Sequence, residues 1–224
     1  MQYNKYVLNF LVFFTLFVIG LIAIHLLGVH SNYQYWIYGY DPLGYHAGTI
    51  DMHNNLLNKK LFSIIKMIYK NVFSQEYNIL HSILPASVFI FLQKIGLNIN
   101  EAGNYATALY VAYIFPVYLL VCFLLKKLFK TNNMICFILI YIAFYLLFIH
   151  ATFYMFPNSL FSIVMFLVAL IMYINKPIQN RSITSLSIFG FVIYSIFLVR
   201  RPALFTVVSF LLSIGLVSLY ELCL

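Results

Sequence analysis

The sequence predicts an all-α, polytopic membrane protein with about six transmembrane helices and a large first extracytoplasmic loop containing interfacial helices, and three observations lead there. Apolar residues make up 64% of the chain and charged residues 8%, whereas a water-soluble domain gives about a quarter of its residues to charge. Apolar runs of about 20 residues, enough to cross the hydrocarbon at 1.5 Å per residue, recur along the chain. Only one long segment is polar-rich, and the stretch Tyr40-Asp41-Pro42-Leu43-Gly44-Tyr45-His46 opens it.

Tyr6 to Leu27 reads as the first span, interrupted only by mildly polar Asn9, Thr15 and His25. Lys5 precedes it, yet the apolar run is too long for the core of a cleavable signal and no small-x-small site follows, so a retained signal anchor is expected. Gly28 to Tyr105 forms the outer loop. Within it, Asp41-Pro42 is a helix-start signal, with Asp as N-cap and Pro at the first helical position. Leu61, Ile64, Ile65, Ile68 and Val72 recur at helical spacing while Lys59, Lys66 and Lys70 fall elsewhere, which predicts an amphipathic helix in the membrane interface. Ile79 to Leu92 is apolar but short and contains Pro85, so a re-entrant or interfacial helix is expected, ended near Gly96.

Ala106 to Leu125 is the second span, with Pro116 inside it, and Lys126-Lys127-Leu128-Phe129-Lys130 closes it. Met134 to Ile149, Pro157 to Ile174, Ile183 to Val199 and Ala203 to Tyr220 supply the remaining spans, joined as antiparallel hairpins by short connectors. Residues 1–224 thus read as one membrane domain.

The net charge of +8 is thirteen Lys and Arg less five Asp and Glu, and the cations are spread in ones and twos between apolar runs. That spread suits topology and lipid headgroups and offers no nucleic-acid surface. Lys126, Lys127, Lys130, Lys176 and Arg181 fall at one set of helix ends, and only Arg200 and Arg201 at the other short connectors. By the positive-inside rule the first set, with the N-terminus, is cytoplasmic, and the Asp41 loop faces outward from a cell inner membrane. Cys122, Cys136 and Cys223 sit in apolar runs without paired spacing, so neither disulfides nor a zinc site is indicated.

In this order the parts resemble the N-terminal module of the GT-C glycosyltransferases, polytopic enzymes that take sugar from a polyprenyl-phosphate carrier. The family includes protein O-mannosyltransferases and aminoarabinose transferases. Asp41 to His46 is similar to the family's first-loop acidic motif, and Tyr77 to Pro85 with Asn104-Tyr105 to its short helix and run into the second span. Phe153 to Leu160 resembles the turn before the fourth span, and Arg200-Arg201-Pro202 the Arg-Pro that opens a later one. Family members often carry a second acidic residue where this chain has Asn158, and they continue through further spans.

The resemblance implies transfer of a sugar from a polyprenyl-phosphate donor, in a bed of membrane lipids, to an extracytoplasmic acceptor. Such transfer needs a base for the acceptor hydroxyl and cations for the leaving phosphate. Asp41 is the expected base, its plain alternative being the helix cap, and Asp51 is the alternative carboxylate. Arg200 and Arg201 suit the phosphate through their bidentate fork, against simple snorkelling to headgroups. Tyr45, His46, Glu76 and Tyr77 are expected to shape the substrate site. His46 and His53 could join Asp41 around a divalent metal, but lone histidines in a polar loop are more often surface residues, and the sequence requires no metal. The competing class is a non-catalytic membrane protein, either a transporter of polyprenyl-linked saccharide or a truncated family member acting as a subunit. Ionisable residues are almost absent from the spans, which disfavours transport.

Overall fold

The computed structural model describes residues 2–30, 40–73, 79–97, 102–130, 134–143, 157–175, 182–199 and 208–215, and among them every regular element is helical. In order these are α1 (Gln2–His30), α2 (Tyr40–Leu57), α3 (Leu61–Phe73), a 3-10 turn (Ile79–Ser82) running into α4 (Ile83–Lys94), and α5 (Ala102–Leu109). A π-helical turn (Tyr110–Ile114) joins α5 to α6 (Phe115–Phe129), and α7 (Met134–Ala143), α8 (Pro157–Asn175), α9 (Ile183–Val199) and α10 (208–215) follow. Three stretches are long and apolar enough to cross a membrane: Val7–Leu26, Asn104–Phe129 and Asn158–Asn175. Met134–Ala143 and Ile183–Ile196 are shorter apolar helices. Parts of the expected spans 134–149 and 203–220 lie outside the described residues.

The segment expected as an outer loop is largely helix, because α1 runs on to His30 and three helices fill the stretch before α5. Helix α2 begins at Tyr40, so Asp41 and Pro42 lie in its first turn and Asp41 does not act as the residue before it. Proline is tolerated there because the first-turn N–H groups have no partner within the helix. Two helices end in the same way. The Leu97 and Gly96 N–H groups close on the Leu92 and Gln93 carbonyls at the end of α4, with Gly96 at φ 85°. Lys60 and Lys59 close on Asn55 and Leu56 at the end of α2, with Lys59 at φ 53° in the position glycine usually takes.

The second apolar run is the pillar of the fold. Asn104 to Tyr110 are all buried, and the main core gathers Ile24 of α1, Phe89 and Leu92 of α4, and Leu160, Phe161 and Val164 of α8 around Tyr105, Leu109 and Tyr113. Helix α4, expected at the membrane interface, drives Ala86, Phe89 and Leu92 into the core and leaves Leu84, Phe91 and Ile95 exposed on its other side. Pro116 accounts for the π turn: it has no N–H for the Ala112 carbonyl, and in a regular helix its ring would press on that carbonyl. Widening the helix just upstream relieves this, and the Phe115 N–H bonds the Tyr110 carbonyl five residues back.

Helix α1 lies antiparallel to this pillar. His25 meets Thr107, Phe17 packs on Tyr110 and Phe115, and Phe13 packs on Tyr118. The Tyr110 hydroxyl donates to the Phe17 carbonyl at 3.2 Å, the Tyr141 hydroxyl of α7 donates to the Leu16 carbonyl at 2.7 Å, and the two hydroxyls are 3.1 Å apart. Gly20 leaves room for both, since a Cβ there would fall on the two hydroxyls, closer than real Cβ atoms approach other atoms.

Gly20→Val is therefore expected to force α1 away from the pillar and destabilise the bundle by the ~1–3 kcal/mol typical of overpacking. Tyr141→Phe, which loses the hydroxyl's contacts with the Leu16 carbonyl and the Tyr110 hydroxyl but leaves the packing, should cost about 0.6 to 1.7 kcal/mol for each bond lost. Unfolding midpoints in detergent micelles measure both, and a Gly20→Val midpoint equal to that of the parent would contradict the close approach.

Candidate functional site

Helix α2 turns a polar face inward. His46, Thr49, Ile50 and His53 recur at spacings of three, four and seven residues, which places them on one side of a 3.6-residue helix. The His46 ring lies 4.6 Å from the Tyr105 ring of α5. Thr49 Oγ1 donates to Ser82 Oγ of the 3-10 turn at 3.3 Å. His53, 1% exposed, holds Gln93 Oε1 of α4 at 3.1 Å through Nε2 and Asn54 Oδ1 at 3.2 Å through Nδ1, with the Phe89 ring edge-on to it.

Neighbouring elements extend this layer. His81, Ser82, Asn104 and Thr107 are buried, the Tyr113 hydroxyl donates to the His81 carbonyl, and His25 Nδ1 stands 3.2 Å from Thr107 Oγ1. The buried start of α8, with Asn158, Ser159 and Ser162, reaches the same place: α8 touches the 3-10 turn, and so does α9 as it returns beside α8. Burying polar groups of this kind costs free energy that hydrogen bonds among them offset.

The opposite end of the bundle is basic. Lys126, Lys127 and Lys130 are exposed, and Lys127 Nζ donates to Asn175 Oδ1 at the end of α8. Thr107 and Lys127 are twenty residues apart in one continuous helix, about 30 Å at 1.5 Å per residue, which is the thickness of the hydrocarbon core. His25 and Lys5 of the antiparallel α1 have the same separation.

Of the expected site residues, His46 belongs to the layer. Asp51 is exposed and lies on the other side of α2, about 140° from His46 at 100° per residue. Its carbonyl accepts a hydrogen bond from Asn55 Nδ2 at 2.9 Å. Asp41 and Tyr45 belong to the first turns of α2, and their side chains lie outside the described residues, as do Glu76, Tyr77, Arg200 and Arg201. Sequence reading treated His53 as a surface residue, and it is buried. His25, Thr49, Gln93 and Thr107 were missed; for Thr49 the helical spacing from His46 was the available signal, and for the others there was none. Among the described residues no three of His, Cys, Asp and Glu come together to hold a metal ion.

The layer fixes α2 over about two turns, by a ring contact with α5 at His46, a hydroxyl bond to the 3-10 turn at Thr49 and a contact with the α4 amide at His53. Burial holds the His46 imidazole below the ordinary value of 6.5. No family model, curated protein or solved structure matches the chain.

A histidine with a lowered folded-state pKa stabilises the fold above the unfolded value and loses that contribution as pH falls below it, because the unfolded chain then binds the proton first. The unfolding midpoint is accordingly expected to drop between pH 7 and pH 5, and to drop less in His46→Phe. Parallel pH profiles for the two proteins would remove His46 as the cause.

Proposed function

We propose that the chain is a GT-C-type membrane glycosyltransferase, a multi-pass protein of the cell inner membrane with about six spans and a cytoplasmic N-terminus. It would transfer a sugar from a polyprenyl-phosphate carrier to an extracytoplasmic lipid, glycan or protein. The resemblance of its ordered parts motivates this reading, and one structural observation carries it furthest: α2, with Asp41 in its first turn, is packed at the end of the bundle opposite the exposed lysines of α6. If those lysines mark the cytoplasmic face, Asp41 belongs to the outer face, where lipid-linked donors of this class are used.

In the proposed reaction the Asp41 carboxylate takes the proton of the acceptor hydroxyl while that oxygen bonds to the anomeric carbon. The bond from that carbon to the phosphate oxygen breaks, and polyprenyl phosphate leaves with the electron pair. Arg200 and Arg201, which follow α9 in the chain, would hold the phosphate as its charge grows. A carboxylate with a pKa near 4 serves as such a base only when the hydroxyl is oriented and proton removal is coupled to bond formation. Holding α2 rigidly would fix the carboxylate's helix against such a hydroxyl.

Two experiments test the reading. In intact cells a membrane-impermeant thiol reagent should modify Asn54→Cys and spare Lys130→Cys; the reverse pattern would exclude an outer-face site. With purified chain and a polyprenyl-phosphate sugar, Asp41→Asn should keep the protein folded and lower transfer about 100-fold or more, while Arg201→Ala weakens donor binding first. Transfer that is indifferent to Asp41→Asn would shift the base elsewhere, and absence of carrier binding would favour the non-catalytic class.

A further inference from the structure

Helix α3 carries more apolar surface than the fold uses. Its inner side is occupied: Ile64, 8% exposed, packs with Met52 and Ala86, Ile68 lies beside them, and Met67 Sδ meets Asn55 Nδ2 at 3.3 Å. Roughly a quarter turn around the axis, at 100° per residue, Leu61, Phe62, Ile65 and Tyr69 form a second stripe. They are 69%, 80%, 55% and 66% exposed. This differs from the expectation set by apolar periodicity alone, which put Ile64 and Ile68 on the lipid side.

The rim of the stripe is cationic. Lys66 is exposed one step further round the helix, and Lys59 and Lys60 are exposed in the turn that precedes it. That turn is fixed by the Lys59 and Lys60 N–H bonds to Leu56 and Asn55, so two of the three cations are held at the start of the stripe. A second copy of the chain would be a poor occupant, since a two-fold interface would set the same basic rim against itself on a chain that already carries +8. An apolar stripe with a lysine rim is complementary to acyl chains beneath anionic headgroups.

We propose that α3 docks on the anionic surface of the membrane that holds the chain, with Leu61, Phe62, Ile65 and Tyr69 at the acyl boundary and Lys59, Lys60 and Lys66 against lipid phosphates. Because α3 packs on α2 and α4 through Ile64, Met52 and Ala86, this sets the height of α2 relative to the headgroups. The inference rests on the membrane reading and not on glycosyl transfer, and its test uses no activity.

Nitroxide labels at positions 62, 65 and 66 of the full chain, otherwise free of cysteine, are read in nanodiscs of phosphatidylcholine with or without phosphatidylglycerol. With phosphatidylglycerol, labels at 62 and 65 should collide more with oxygen than with a water-soluble nickel chelate, and the label at 66 should show the reverse. Omitting phosphatidylglycerol, or combining Lys59→Gly, Lys60→Gln and Lys66→Gln, should move 62 and 65 toward water. Water-exposed labels at 62 and 65 in every lipid would overturn the docking. Lipid-buried labels indifferent to phosphatidylglycerol and to the lysines would overturn the anionic partner. Labels shielded from both reagents would show that another protein chain covers the stripe, which also overturns the proposal.

Discussion

Tyrosine hydroxyls reaching backbone carbonyls of neighbouring helices are the constraint on which this bundle depends. Tyr110 and Tyr141 bond the Phe17 and Leu16 carbonyls of α1, and Tyr118 bonds the Phe137 carbonyl of α7 at 3.1 Å. A helical carbonyl keeps a second lone pair after serving its own helix, so these bonds do not unwind the acceptor. In a bilayer, apolar side chains gain little by leaving lipid for protein, and such bonds together with close packing decide which helices associate. Gly20 and the π turn at Tyr110–Ile114 are the local features that let α1 and the pillar come close enough. The Phe17–Phe115 and Tyr118–Tyr141 ring pairs, at 4.9 Å and 5.1 Å, fill the space on either side.

Because that seam sets α1 antiparallel to α5 and α6, it also sorts the chain's polar groups to two ends. His25 and Thr107 meet at one, beside the layer built on α2, and the lysines of α6 collect at the other. Helix α2 is attached at the polar end through three kinds of contact: a ring on a ring at His46, a hydroxyl pair at Thr49 and an amide at His53. A helix held at His46, Thr49 and His53 moves as one body with its neighbours, so the seam and the layer together position α2. The placing of α2 thus depends on contacts that begin in α1.

Much of the architecture was legible in the sequence. The apolar runs at Val7–Leu26, Asn104–Phe129 and Asn158–Asn175 declared themselves by length, and the 3.6-residue period found α3. What escaped did so for stated physical reasons. Lipid removes the usual meaning of an apolar residue, so hydropathy could not tell that Ile64 of α3 faces protein while Ile65 faces outward. His46, Thr49 and His53 have a helical period too, but polar residues in a loop-like stretch read as surface until a partner such as Gln93 is seen. The His25–Thr107 pairing joins residues eighty-two apart, beyond any local pattern. Pro116 was visible inside the second span, but nothing in the sequence revealed the π turn that accommodates it.

Pairing of engineered cysteines tests the antiparallel seam most directly. In membranes containing the chain with Cys122, Cys136 and Cys223 replaced by alanine, mild oxidation should cross-link His25→Cys with Thr107→Cys, whose parent side chains stand 3.2 Å apart. Phe13→Cys with Thr107→Cys should stay reduced, since Phe13 lies twelve residues and about 18 Å along α1 from His25. Cross-linking of the second pair and not the first would contradict the seam, and with it the placing of α2 and the lysines of α6 at opposite ends.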